Sequence, residues 1–132
     1  MDADVIVVGA GLAGAAAALR LSTVNSGIEI EPIIDDLDSS NINRLLGGFD
    51  LIIDGTDNFE TRYLLNDYAV ANNVPWIYGG VIGGYGMTMT IRPGITACLR
   101  CVFPEPPPAG GAPTCDYAGV IATAGHVVAL RV

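Results

Sequence analysis

Short apolar runs of strand type alternate along this chain with stretches whose apolar residues recur at helical spacing. Residues 4–8 are a β-branched run closing on Gly9, Gly11 and Gly14, and residues 15–21 are strong helix formers, which predicts a strand, a turn and a helix start. Polar residues 22–27 read as a linker, and residues 28–34 alternate as a second strand in which Pro32 marks an edge or a bulge. Ser39 or Ser40 is placed to cap a helix through Leu46 that Gly47 and Gly48 end, and residues 49–54 form a continuous apolar run of buried-strand type. From Phe59 to Asn72 the apolar positions Tyr63, Leu64, Tyr68 and Val70 keep a mostly helical period, with a stop at Asn72 and Asn73. Residues 74–78 and 84–92 are strand-like and separated by a glycine-rich piece, residues 79–83, whereas residues 104–113 are too rich in Pro and Gly for regular structure. Such alternation predicts a Rossmann-like three-layer α/β fold with a mainly parallel sheet, in one domain over residues 1–132.

Composition sharpens that picture. Hydrophobic residues make up 51% of the 132 and charged ones 15%, a balance suited to a buried parallel sheet. The net charge of -8 disfavours nucleic acid and anionic membrane surfaces as partners. Every basic residue is Arg, so chemistry that needs a lysine ammonium on a phosphate has no side chain here. Three cysteines cannot all pair, and Cys98 and Cys101 have the spacing of a metal or redox site, which fits a reducing cytoplasm. The apolar opening contains Arg20 and lacks a basic lead-in, so no targeting or membrane-spanning segment is expected.

Two stretches carry candidate chemistry. Gly9, Gly11 and Gly14 follow a strand and open a helix, where amides and the helix dipole hold a phosphate; the alternative is that they only permit tight strand–helix packing. An acid about 20 residues on bonds the ribose in dinucleotide sites, and Glu31 follows Gly9 by 31 − 9 = 22 positions, with Glu29 beside it. Residues 2–21 resemble the opening of a flavin-dependent oxidoreductase, which makes FAD or NAD the alternative cofactors of a non-catalytic binding module. Asp54, Asp57 and Asn58 lie at the carboxyl end of a predicted parallel strand, where open α/β sheets bind ligands and where such oxygens suit Mg²⁺. Asp54 and Asp57 also read as turn or capping residues, and Arg62 as an ion-pair partner of Glu60 or Asp67. Trp76, Tyr78 and Tyr85 sit within strand-like runs and read as sheet packing.

Taken in order, the acidic stretch 50–66, the run Pro75, Trp76, Ile77, Tyr78, Gly79 and Gly80, the segment 91–94, the cysteine stretch 98–107 and the group Thr114, Cys115 and Asp116 strongly resemble the ThiF/MoeB family of adenylating enzymes, over residues 27–121. The resemblance implies that Asp57 holds Mg²⁺ on ATP and that a ubiquitin-like sulfur-carrier protein offers its C-terminal glycine carboxylate, giving an acyl-adenylate. Asp57, Arg62 and Cys115 are then the catalytic candidates, Arg62 for charge neutralisation and Cys115 as a thiol that captures the activated carrier. Gly9, Gly11, Gly14, Glu31, Asp57 and Asn58 are the cofactor-binding candidates. Cys98 and Cys101 match half of the family's structural zinc site, for which Cys115 and His126 are further donors in principle and a homodimer another way to complete it. Where the family has a longer front half with Asn, Arg and Lys groups on the triphosphate, the linker 22–27 stands instead, and the second cysteine pair is absent. A chimera, a recombinant or a gene fragment, with impaired activity, is the expectation.

Overall fold

The computed structural model describes residues 4–9, 11–25 and 27–108. Its elements run β1 (Val5–Val8), α1 (Leu12–Val24), α2 (Ile42–Leu46), β2 (Leu51–Asp54), α3 (Phe59–Asn72), β3 (Trp76–Ile82), β4 (Tyr85–Ile91) and α4 (Leu99–Val102). They build one four-stranded sheet in the order β1-β2-β3-β4. The first three strands are parallel, with Val5 opposite Leu51, Val8 opposite Asp54 and Ile52 opposite Trp76. β4 returns antiparallel, Trp76 facing Ile91 and Ile82 facing Tyr85. This is the Rossmann-like, mainly parallel α/β arrangement expected from the alternation of elements.

Consecutive side chains on a strand point to opposite faces, and β2 buries both. Ile52 joins Tyr63, Leu65 and Ala69 of α3 with Leu46, Trp76, Ile91 and Leu99 in the larger core. Its neighbour Ile53 packs on the other face with Ala17 of α1, bordered by Val5, Val7 and Leu51. The sheet is therefore a middle layer between α1 and α3. α3 starts where the Asn58 side chain accepts the Thr61 N–H at 2.8 Å and stops at Asn73, whose φ of 56° closes the helix in the left-handed region.

Buried Asn66 does for α4 what a cap does for a helix. Its Oδ1 accepts the Leu99 N–H at 2.9 Å, Tyr63 donates its hydroxyl to the Phe103 carbonyl at 2.7 Å, and Arg100 forks onto Asp67 at 2.6 and 2.7 Å. Those contacts fasten the cysteine turn along α3.

Three local expectations change. Residues 28–34 form no strand; Ile30, Ile33 and Ile34 are exposed, and Pro32 withholds a ladder donor in a segment that no described strand pairs with. The glycines of residues 79–82 do not separate two strands but continue β3, and the chain reverses only at Gly83 (φ 54°) and Gly84. So tight a reversal forces β4 to run antiparallel. The helix expected from Ser39 or Ser40 begins at Ile42, because Asp38 first draws the N–H groups of Ser40 and Asn41 into a turn at 2.7 and 3.1 Å.

Asn66→Ala strips the buried Leu99 N–H of its acceptor and is expected to cost about 1–3 kcal/mol in urea unfolding. Arg100→Ala breaks an ion pair whose side chains are 45% and 51% exposed and a contact 4.8 Å from the Tyr63 ring centre, both made by a side chain open to solvent, and is expected to cost clearly less than Asn66→Ala. Equal losses would contradict the anchoring role of Asn66.

Candidate functional site

At the carboxyl edge of the sheet, the turn after β1 and the loop after β2 lock into each other through three glycines. Gly9 has φ 99°, and a Cβ there would stand 2.7 Å from the Gly55 carbonyl and 2.9 Å from the Thr56 nitrogen. A Cβ on Gly14 would collide with the Gly9 carbonyl oxygen, and one on Gly55 would meet Gly14 at 2.6 Å. The Gly55 N–H donates to the Val8 carbonyl at 2.7 Å, closing the seam. Gly9 and Gly14 thus serve close packing. Gly11, by contrast, is exposed at the N-cap of α1, where no side chain caps the first turn.

Acidic residues of the second loop divide in the same way. Asp54 is 2% exposed, and one of its oxygens accepts the Thr56 N–H and hydroxyl at 2.8 and 2.7 Å. The other accepts Arg62 Nε at 3.1 Å, while Arg62 Nη2 donates to the carbonyls of Thr56 at 2.6 Å and Gly79 at 3.0 Å. The guanidinium also lies 4.9 Å from the Tyr78 ring centre and 5.5 Å from that of Phe59. Burial raises the Asp54 carboxyl above its ordinary range, and Arg62 and Thr56 offset this only in part. Asp57 is exposed and makes no hydrogen bond or ion pair among the described residues. Asn58 turns its carbonyl inward to cap α3.

The glycine turn, Asp57, Asn58 and Arg62 therefore meet at one edge of the sheet, and other candidates lie elsewhere. Glu29 and Glu31 are exposed in the irregular segment after α1 and bond to no described residue. Cys98 and Cys101 sit beside the C-terminal half of α3, with sulfurs 3.5 Å apart. Asn66, which anchors that turn, follows Phe59, the first residue of α3, by seven positions, about 10 Å along the helix. Burial alone would raise the Cys98 thiol, but hydrogen bonds from Cys101, the Arg100 backbone and Asn66 outweigh it and bring it below its ordinary range. Among the described residues no group of three or more His, Cys, Asp or Glu is placed around a metal. Cys115 and His126 lie outside the described residues.

The partner of Arg62 is Asp54, eight residues back, rather than Glu60 or Asp67; Asp67 pairs with Arg100. Sequence reading assigns Gly55, Thr56 and Gly79 no role of their own within the motifs that contain them. For Gly55 the signal is its place directly after the strand's last acid, whereas the carbonyls of Thr56 and Gly79 carry no side-chain signal at all.

A parallel sheet between helices, with a glycine turn and an acidic loop joined at its carboxyl edge, defines a Rossmann-like α/β unit whose crevice lies at that edge. The chain belongs to the ThiF family, whose model matches residues 13–132 and so extends beyond the motif-bearing residues 27–121 at both ends. It is 44% identical over 110 residues to the sulfur carrier protein ThiS adenylyltransferase of Bacillus subtilis (strain 168), covering 83% of this chain and 32% of that protein. With the sulfur carrier protein adenylyltransferase of Thermus thermophilus it shares 37% identity over 114 residues, covering 83% of this chain and 42% of the relative. The chain thus spans less than half the length of either. A crystal structure of E. coli MccB with ATP superposes over 98% of this chain and 53% of its own, with TM-score 0.75 at 16% identity, a likeness of fold. No helix among the described residues is long and apolar enough to cross a membrane.

Removing either member of the buried ion pair strands the other. Arg62→Met and Asp54→Leu are each expected to lower unfolding free energy by about 3–5 kcal/mol, and the two substitutions together by clearly less than the single losses added. Single losses under about 1 kcal/mol, the range of exposed pairs, would show that the pair does not hold the loop.

Proposed function

We propose that this chain is the nucleotide-holding part of an adenylyltransferase that uses ATP to activate the C-terminal glycine of a ubiquitin-like sulfur-carrier protein, with residues 1–132 acting as one domain. The observation that carries the reading is Asp57. Its carboxylate is open at the carboxyl edge while its neighbours Asp54 and Asn58 are engaged within the fold. Hard cations such as Mg²⁺ take accessible carboxylate oxygens, so Asp57 fits that ion and Asp54, held by Arg62 and Thr56, does not. When bound, Mg²⁺ would neutralise phosphate charge at this edge.

The chain's own groups supply positioning. Exposed Gly11 leaves room for phosphate oxygens to approach the first turn of α1, and Gly9 and Gly14 hold that turn against Gly55. Arg62 sets the carbonyl of Thr56 and thereby the direction in which Asp57 leaves the loop. In the reaction a carrier carboxylate oxygen bonds to the α-phosphorus of ATP, the bond from that phosphorus to the bridging oxygen breaks, and pyrophosphate leaves behind an acyl-adenylate. Such a transfer gains most from alignment and charge stabilisation. The likeness to the sulfur carrier protein adenylyltransferases of Bacillus subtilis and Thermus thermophilus supports the substrate class.

The same reading gives Cys98 and Cys101 half of a structural zinc site and Cys115 a thiol that captures the activated tail. The sulfur separation of 3.5 Å supports the first, since thiolates about 2.3 Å from a tetrahedral zinc stand about 3.8 Å apart.

Carrier-dependent exchange of pyrophosphate into ATP measures the reaction directly. Asp57→Ala is expected to lower its rate about 100-fold or more while the far-UV circular dichroism is retained. Failure of the parent chain to bind Mg-ATP, or binding and exchange that Asp57→Ala leaves equal to the parent's, would overturn the proposal. Tight binding of FAD or NAD, weakened by Glu31→Ala and unmatched by Mg-ATP, would assign the edge to a dinucleotide instead.

A further inference from the structure

Tyr78 lies on the buried face of β3 and is only 4% exposed. Its ring stands edge-on to Trp76 at 6.3 Å and carries the Arg62 guanidinium 4.9 Å from its centre. Packing explains the ring but not the hydroxyl, which forms no hydrogen bond with any described residue. Among the described residues the fully buried side-chain polar atom without a partner is Trp76 Nε1, so the unbonded Tyr78 oxygen keeps some contact with solvent.

Where it does so is fixed by Gly80. A Cβ there would stand 2.6 Å from the Tyr78 oxygen, so the phenol leans along the strand toward its carboxyl end and needs a glycine two residues on. Continuing the parallel register from Ile53 opposite Ile77 sets Tyr78 level with Asp54 and Gly80 level with Thr56. The hydroxyl therefore emerges at the height of the acidic loop, on the face covered by the start of α3. Arg62 commits Nε and Nη2 to Asp54, Thr56 and Gly79, and its Nη1 bonds to no described residue. The guanidinium lies 4.9 Å from the centre of the phenol ring, and neither the O–H nor Nη1 has an acceptor among the described residues.

We infer that the Tyr78 hydroxyl is a substrate-contacting donor that, beside Arg62, binds an anionic oxygen at the carboxyl edge of the sheet. This rests on the adenylyltransferase reading, in which two such oxygens are present: a nucleotide phosphate and the carrier's terminal carboxylate. Burial raises the Tyr78 hydroxyl further above its ordinary range, with Asp54 adding to the rise and Arg62 opposing it, so it stays protonated and can donate throughout the neutral range. Nothing in this role requires proton transfer.

Tyr78→Phe removes the oxygen and keeps the ring. With the full chain, the expected result is an unchanged melting temperature and a KM raised about tenfold or more for one substrate in pyrophosphate exchange, the weight of a hydrogen bond to a charged group. A rise confined to ATP assigns the phosphate, and a rise confined to the carrier assigns the carboxylate. A second measurement avoids turnover: in the chain labelled at tyrosine Cζ, the resonance missing from Tyr78→Phe should shift when Mg-ATP or the carrier is added. Unchanged KM values with an immobile resonance overturn the inference while leaving the adenylation reading intact. A lowered melting temperature with unchanged KM would do the same, by showing that the hydroxyl serves the fold. A parent chain that neither exchanges pyrophosphate nor binds Mg-ATP overturns both.

Discussion

The buried pair between Asp54 and Arg62 is the constraint on which the carboxyl edge of this molecule depends. One guanidinium reaches the last residue of β2, the loop after it and the middle of β3, while its own backbone belongs to α3. Four pieces of chain are held by a single side chain. Desolvating two charges costs several kcal/mol each, and an apolar pair of the same volume often serves stability equally well. What an apolar pair cannot do is bond the Thr56 and Gly79 carbonyls. The structural value of the pair is therefore the direction it gives a loop, and that direction is what leaves Asp57 in solvent.

The two loops at this edge show a common division of labour. In each, some motif residues face inward and make the loop possible, and one faces outward. Gly9 and Gly14 vanish into contacts with Gly55, and Gly11 stays open; Asp54 and Asn58 close on Arg62 and on the helix cap, and Asp57 stays open. The packing reading of the glycine turn therefore holds for Gly9 and Gly14 and does not extend to Gly11. A Cβ at Gly14 would push the helix off the turn, whereas one at Gly11 would meet nothing closer than the Gly55 oxygen at 3.9 Å.

Legibility in the sequence followed the range of the interactions involved. The extent of α3 was readable because its apolar period runs from Phe59 to Asn72 and asparagines end it, although the N-terminal cap is Asn58 rather than Asp54 or Asp57. β1, β2 and the turn between β1 and α1 were readable because apolar runs bounded by glycine have few other uses. Residues 28–34 misled because alternation describes a strand only if a neighbour supplies the ladder, and a sequence does not announce the neighbour. The glycines of β3 misled for the opposite reason: a central strand tolerates them when close contacts, here the Tyr78 phenol over Gly80, demand the space. At the site, Asp57 could be singled out from its place after a strand. The Asp54–Arg62 bond and the Asn66–Leu99 bond, 33 residues apart, required the fold itself.

α3 joins two ends that do different work. Its first turn frames the acidic loop, and Tyr63, Asn66 and Asp67, further along it, place α4 and the cysteine pair through bonds to Phe103, Leu99 and Arg100. Because those bonds involve only protein groups, the 3.5 Å approach of Cys98 and Cys101 is set before any metal is considered. A zinc ion completed from elsewhere would reinforce a turn already made, in contrast to sites that fold only around their metal. Coupling between the two ends has one rigid element to travel through, and Arg62 and Asn66, one helical turn apart on its buried face, are where each end grips it.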